Sequence, residues 1–245
     1  MSAMPSGPSD DVALAARELY RFYRAGEEET LALRGVSLRV RRGETVAVVG
    51  PSGAGKSTLL ACLAGLDEPS GGEVRVAGVR ISHRPETERA RLRARHVGVL
   101  LQSRNLLPHL TVRDNVQLAQ HAVRGRPAVR AGALLEQVGL GRRAGALPRQ
   151  LSGGELARAG LAVALANSPA VLLADEPTGE LDGMTEELVL RMLRDRAADG
   201  CAVLIVTHSA EAVRGADRVI TLDDGRAHEG REGAAQAKES HHVLR

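Results

Sequence analysis

The 245-residue sequence predicts an α/β protein built on a buried parallel sheet. Three observations carry that expectation. Short apolar runs without polar alternation recur along the chain, as strands covered on both faces require. A helical pattern follows each run, as in strand–helix–strand units. The segment 103–166, by contrast, carries helical periodicity and no strand, so it reads as a helical subdomain inserted between two strands of the sheet.

Taken in order, residues 1–10 (MSAMPSGPSD) are polar, lack the apolar centre of a secretion signal and are expected to form a flexible end. The first clear strand is ETVAVVG (44–50), followed by a helix from Lys56. Within 103–166, TVRDNVQLAQHAV, AVRAGALLEQVGL and GGELARAGLAVALAN read as helices. AVLLAD (170–175) and CAVLIVT (201–207) supply two further strands, with helices from Gly183 and Ser209. Residues 227–245 are expected to be a flexible tail, with His241 and His242 solvated within it. One domain spanning 11–226 follows, its core formed by 11–102 and 167–226 around the insertion.

With 43% hydrophobic and 26% charged residues the chain has the balance of a globular protein. Its interior must be aliphatic, because Tyr20, Phe22 and Tyr23 are its only aromatic residues and all lie in ELYRFYRAG (18–26). The net charge of +3 comes from interspersed Arg and Glu with no basic run, so no nucleic-acid partner is expected. Cys62 and Cys201 sit in apolar stretches and read as reduced, buried thiols. No stretch approaches the ~18 uninterrupted apolar residues of a membrane helix. Of the 33 basic residues only Lys56 and Lys238 are lysines, so each retained lysine calls for a reason.

Lys56 has one. Gly50, Pro51, Ser52, Gly53, Ala54, Gly55, Lys56, Ser57 and Thr58 spell G-x-x-x-x-G-K-[ST]-T between a strand and a helix. In that setting the glycines let backbone N–H groups wrap phosphate oxygens, and the helix N-terminus adds positive charge. Lys56 would reach the β- and γ-phosphates of a nucleotide, and Ser57 would offer its hydroxyl to Mg²⁺. The strand AVLLAD ends in Asp175, placed for the same metal, and Glu176 follows, placed to orient or deprotonate an attacking water. LSGGE (151–155) contains Ser152-x-x-Glu155, a capping box opening a helix whose Gly153 and Gly154 leave its N–H groups bare toward an anion.

With that stretch the chain resembles the nucleotide-binding subunit of ABC transporters from about residue 12 to 226. GPSGAGKS resembles the family's Walker A motif, VLLADE its Walker B and LSGGE its signature, so Ser152, Gly153, Gly154 and Glu155 are implied to serve the ATP of a partner subunit. Gln102 resembles the Q-loop glutamine, a sensor of Mg²⁺; Asp182 in GELD resembles the D-loop aspartate; His208 in VTHS resembles the switch histidine near the γ-phosphate. Glu176, His208 and Gln102 are thus the implied catalytic set, with Ser57, Gln102 and Asp175 around Mg²⁺. The resemblance implies a P-loop NTPase fold with an N-terminal antiparallel β region. It also implies ATP hydrolysis in a dimer, a homodimer being the simpler assembly, and a separate integral-membrane permease. The chain would then work in the cytoplasm at the inner face of the cell membrane.

LLPHLTVRDNV and LADEPTGELD resemble the subgroup serving lipoprotein release, macrolide efflux and cell division, from which Glu180, Leu156, Ala157 and Leu101 depart. Two other classes stand beside this reading. Chromosome and DNA-repair ATPases share the head but interrupt it with coiled coils or zinc modules, which this sequence lacks. A non-hydrolysing regulatory switch would not need both Glu176 and His208. Tyr23 resembles the A-loop aromatic that stacks on adenine, the alternative being a half-buried edge-strand residue. Strand alternation is expected to set Leu19, Arg21 and Tyr23 on one side and Tyr20 and Phe22 on the other.

Overall fold

The computed structural model describes residues 11–25, 28–103, 105–125 and 127–230. Strand β1 (Val12–Ala25) pairs antiparallel with β2 (Glu28–Arg41). After β3 (Thr45–Val49) and α1 (Lys56–Leu63), β4 (Gly71–Val76) and β5 (Val79–Arg80) complete a four-stranded sheet in the order β2-β1-β4-β5. A charged helix, α2 (Glu86–His96), leads without a loop into β6 (Val97–Leu100). Helices α3 (Val112–His121), α4 (Ala131–Gln137) and α5 (Gly153–Ala164) follow before the chain returns as β7 (Val171–Asp175). Then come α6 (Gly183–Ala198), β8 (Ala202–Val206), α7 (Ala210–Arg214), β9 (Arg218–Asp223) and β10 (Arg226–Gly230). The second sheet runs β10-β9-β3-β8-β7-β6, parallel except for the β9–β10 hairpin.

The continuous apolar strands are explained by burial on both faces. Along β7, Val171 and Leu173 join the core layer shared with β1, β2, β4 and α1, while Leu172 and Ala174 join the layer under α3–α6. The same division splits β8, with Leu204 and Val206 on one side and Val203 and Ile205 on the other. Aliphatic side chains fill both layers, and Tyr20, Phe22 and Tyr23 all lie about two-fifths exposed. Among the described residues no helix is long and apolar enough to cross a membrane.

Close packing leaves one site with no room to grow. A Cβ added at Gly98 of β6 would collide with the Ala164 carbonyl at the end of α5 and lie 3.0 Å from both Leu172 and Pro169. Gly98→Ala is therefore expected to destabilise the protein by about 1–3 kcal/mol, read as a fall in thermal midpoint.

One expectation is corrected. The sheet does not end at 226: β10 continues to Gly230, antiparallel to β9 across the Asp224–Gly225 turn. Its short polar sequence has no apolar run to announce it, because it forms a sheet edge. The alternation expected along β1 puts Arg21 and Tyr23 on one side, as both bind Asp67, although the pairing is locally irregular. Glu18 adopts φ 48°, and the register with β2 shifts between Leu19 and Tyr20 and again between Arg21 and Phe22. Leu19 is fully buried, while Arg21 and Tyr23 turn toward one another near the surface. Tyr20 instead lies over Gly35 of β2 and Gly71 of β4, where the missing side chains make room for its ring.

Candidate active site

The carboxyl ends of β3, β7 and β8 open onto a cavity of about 910 Å³, the position where open parallel sheets hold ligands. The chain turns from β3 into α1 through a loop that only glycine can make. Gly55, just before α1, has φ 97°, and a Cβ there would run into the Ala32 carbonyl. At Gly50 a Cβ would strike the Leu222 carbonyl. Lys56 Nζ donates to the carbonyls of Gly50 (2.7 Å) and Pro51 (2.9 Å), which fixes its ammonium across the loop. From behind, the Gly225 N–H donates to the Ala54 carbonyl (3.1 Å), so the β9–β10 turn braces the loop.

Ser52, Gly53, Gly55, Lys56, Ser57 and Thr58 line the cavity. So do Gln102, Asp175, Glu176, His208 and Tyr23, brought from four other places in the sequence. Asp175 ends β7 half-buried, and that burial raises its carboxyl pKa. The charge of Glu176 adds to the rise, and a hydrogen bond with Ser57 and the nearby Lys56 oppose it. A carboxylate, a serine hydroxyl and an amide oxygen are the hard oxygen donors that suit Mg²⁺, which takes few protein ligands beside phosphate and water. Among the described residues no group of three or more His, Cys, Asp or Glu forms a metal cluster, so a softer metal has no donor set here.

Glu176 is held under constraint. Its φ of 45° lies in the left-handed region, at a cost on the order of 1 kcal/mol for a non-glycine residue. Its N–H donates to the Val206 carbonyl (2.9 Å), which ties it to the end of β8. One carboxylate oxygen, Oε2, accepts the His208 backbone N–H (3.2 Å). The other, Oε1, is buried with no hydrogen-bond partner among the described residues, and His208 Nε2 stands 3.6 Å from it. A buried acceptor without a donor is costly, and a water molecule would satisfy it.

Not every predicted residue meets at this cavity. Ser152 caps α5, its hydroxyl accepting the Glu155 N–H (3.2 Å) while Glu155 Oε2 accepts the Ser152 N–H (2.9 Å). Arg143 also binds Glu155, whose pKa the Ser152 N–H and Arg143 lower. Neither Ser152, Gly153, Gly154 nor Glu155 lines the cavity, and Gly153 faces instead a groove with Gln102, Leu156 and Leu181. Asp182 likewise lies outside it, capping α6 through Thr185 N (3.0 Å) and Thr185 Oγ1 (2.9 Å).

Several residues with no motif to mark them hold the site together. The Glu186 carboxylate accepts the hydroxyls of Thr178 (3.1 Å) and Ser209, joining the turn after Glu176 to the residue after His208. Asn105 pairs with both backbone groups of Leu101, Oδ1 to its N–H (2.8 Å) and Nδ2 to its carbonyl (2.6 Å), and so fixes the chain next to Gln102. Its Cβ region rests on Gly160 of α5. The Tyr23 hydroxyl donates to Asp67 (2.8 Å), which also takes two hydrogen bonds from Arg21. No motif spacing signals these, and the links of Glu186 to Ser209 and of Asp67 to Tyr23 and Arg21 join residues far apart in sequence.

A glycine loop at the N-terminus of a helix, with an Asp-Glu pair at the end of a parallel strand two places along the same sheet, defines the class of P-loop nucleoside triphosphatases. Residues 33–179 match the ABC transporter family. The chain belongs to that family. It is 43% identical over 224 residues to a lipoprotein-releasing system ATP-binding protein, LolD, of Pseudomonas syringae, covering 89% of this chain and 98% of LolD. It is 43% identical over 213 residues to a macrolide export ATP-binding/permease protein, MacB, of Rhodopirellula baltica, covering 84% of this chain but only 31% of that longer protein. Among solved structures, the dimeric post-hydrolysis state of the ATP-binding cassette MJ0796 bound to ADP and Pi superposes with a TM-score of 0.82. That match is 36% identical and covers 89% of this chain and 97% of the cassette.

Proposed function

We propose that this chain is the ATP-binding subunit of an ABC transporter that hydrolyses ATP between two copies of itself and drives a separate membrane permease. The observation that carries the reading is the Glu176 carboxylate, anchored through Oε2, its buried Oε1 without a partner among the described residues, in the cavity that the phosphate loop lines. Lys56 and the loop N–H groups take the phosphates. Ser57 and Asp175, with Gln102, would hold Mg²⁺, which would supply neutralisation of the phosphate charge. Glu176 Oε1 accepts a proton from the attacking water while the His208 N–H keeps the carboxylate turned toward it. The His208 ring, exposed to the cavity, offers a donor to the γ-phosphate.

Gly153 and Gly154 at the capped α5 N-terminus do not line the cavity of their own chain, which supports their serving the ATP of the second copy. Asp182 sits beside the same surface. The relatives' names favour the lipoprotein-release and macrolide-efflux subgroup, and the place of work is then the inner face of the membrane, with the helices of 103–166 toward the permease. Phosphate release by the purified protein, alone and with the permease of the neighbouring reading frame, tests the reading. Turnover that depends on Mg²⁺ is expected in at least one setting. No turnover in either, with ATP still bound, would make the chain a regulatory switch.

A further inference from the structure

Tyr23 is gripped on two sides, and the grip leads to the phosphate helix. Its hydroxyl donates to Asp67 Oδ2 (2.8 Å). Arg21 binds the same carboxylate through Nε (2.8 Å) and a terminal nitrogen (2.7 Å), and its guanidinium lies 4.5 Å from the centroid of the Tyr23 ring. Asp67 is itself immobile. The N–H groups of Leu66 and Asp67 both donate to the Ala61 carbonyl, at 2.9 and 3.1 Å, in the turn that ends α1, and the Glu68 N–H donates to Asp67 Oδ1 (2.8 Å). The other end of α1 carries Lys56 and Ser57.

We infer that Arg21 and Asp67 are positioning residues that hold Tyr23 as a one-faced stacking platform for the nucleobase and set its distance from the phosphate loop through α1. The inference rests on the reading of the cavity as an ATP site. Tyr23 stands at the cavity's edge, about two-fifths exposed, where an untethered ring would sample several rotamers. Pinning the hydroxyl removes that freedom before a ligand arrives, so less ordering is lost on binding. The guanidinium covers one face by cation–π contact, leaving the opposite face for a base. The hydroxyl is then engaged with Asp67 and does not read the base edge. A plain β1–α1 tie would need the ion pair but not the tyrosine hydroxyl or the stacked geometry.

Burial by itself would raise the Asp67 pKa, yet the hydrogen bonds from Tyr23 and Arg21 and the Arg21 charge lower it, so the clamp is ionised at neutral pH. The test uses the full chain with Mg²⁺ and compares ATP with inorganic tripolyphosphate, which has the phosphates and no base, by calorimetric titration. Arg21→Met, Asp67→Asn and Tyr23→Phe are each expected to weaken ATP about three- to tenfold, below the loss on removing the ring in Tyr23→Ala. Tripolyphosphate affinity should stay within about twofold of the wild type in every variant, since it never touches the platform. Equal losses for both ligands would make Asp67 a support of the phosphate loop and overturn the proposal, as would unchanged ATP affinity in all three. Should Asp67→Asn fold poorly, Arg21→Met and Tyr23→Phe, both near the surface, decide alone. A wild-type protein that binds tripolyphosphate and not ATP would sink the ATP reading itself, which the variants' failure would leave standing.

Discussion

Glu176→Gln is expected to lower steady-state ATP hydrolysis by about 10²–10⁴-fold while leaving ATP bound. The amide is nearly the size of the carboxylate, so the side chain keeps its place beside β8 and its oxygen still accepts the His208 N–H. What it loses is the capacity to take a proton from water at the position of Oε1, the buried atom with no partner. With chemistry blocked and both ligating surfaces intact, the ATP-bound state persists. Gel filtration with ATP should then show a stable dimer that the wild type forms only transiently. Hydrolysis at the wild-type rate would remove Glu176 from the role of base. The variant should also fold normally, because Gln occupies the left-handed backbone position no less readily than Glu.

Lys56→Ala is expected to weaken ATP by roughly ten- to a hundredfold, the value of about 1.5–3 kcal/mol for hydrogen bonds to a charged group. The lysine has two attachments to lose. Its ammonium bridges the carbonyls of Gly50 and Pro51 and so shapes the loop, and it is the cation within reach of the phosphates. Arginine is not expected to rescue it. A planar guanidinium cannot sit between two carbonyls 2.7 and 2.9 Å from a single nitrogen and also turn a donor outward. Measuring ATP affinity in the Ala and Arg variants checks this, and an Arg variant with wild-type affinity would show that charge alone suffices.

Much of the fold was legible because burial on both faces writes plainly in sequence. The runs that became β7 and β8 are almost wholly apolar, since each feeds two core layers, and β3 is buried between β8 and β9. β6 was hidden by its start: α2 ends at His96 and the strand begins at Val97, with no turn residue between them. β10 was hidden by its exposure. The loop, Asp175 and Glu176 could be read because their chemistry demands fixed spacing within one stretch. Glu186, Asn105 and Asp67 could not. Glu186 meets Ser209 across 23 residues and Arg21 meets Asp67 across 46, and such pairings exist only once the strands and helices are stacked. β1 shows a third kind of difficulty. Alternation correctly set Arg21 and Tyr23 on one side, but it could not announce the register shifts beside Leu19 and Arg21, which arise from pairing with β2.

The aliphatic interior also makes the molecule nearly dark. With no tryptophan and only two tyrosines, both on β1, its tyrosine-band emission comes from Tyr20 and Tyr23 alone. A melt followed by tyrosine emission would record the loosening of β1 and miss the dissolving core. The same poverty becomes an optical window. Tyr20 is set over two glycines and does not line the cavity, so a change in emission on adding nucleotide would report from Tyr23, without a label and over the background of a single other tyrosine.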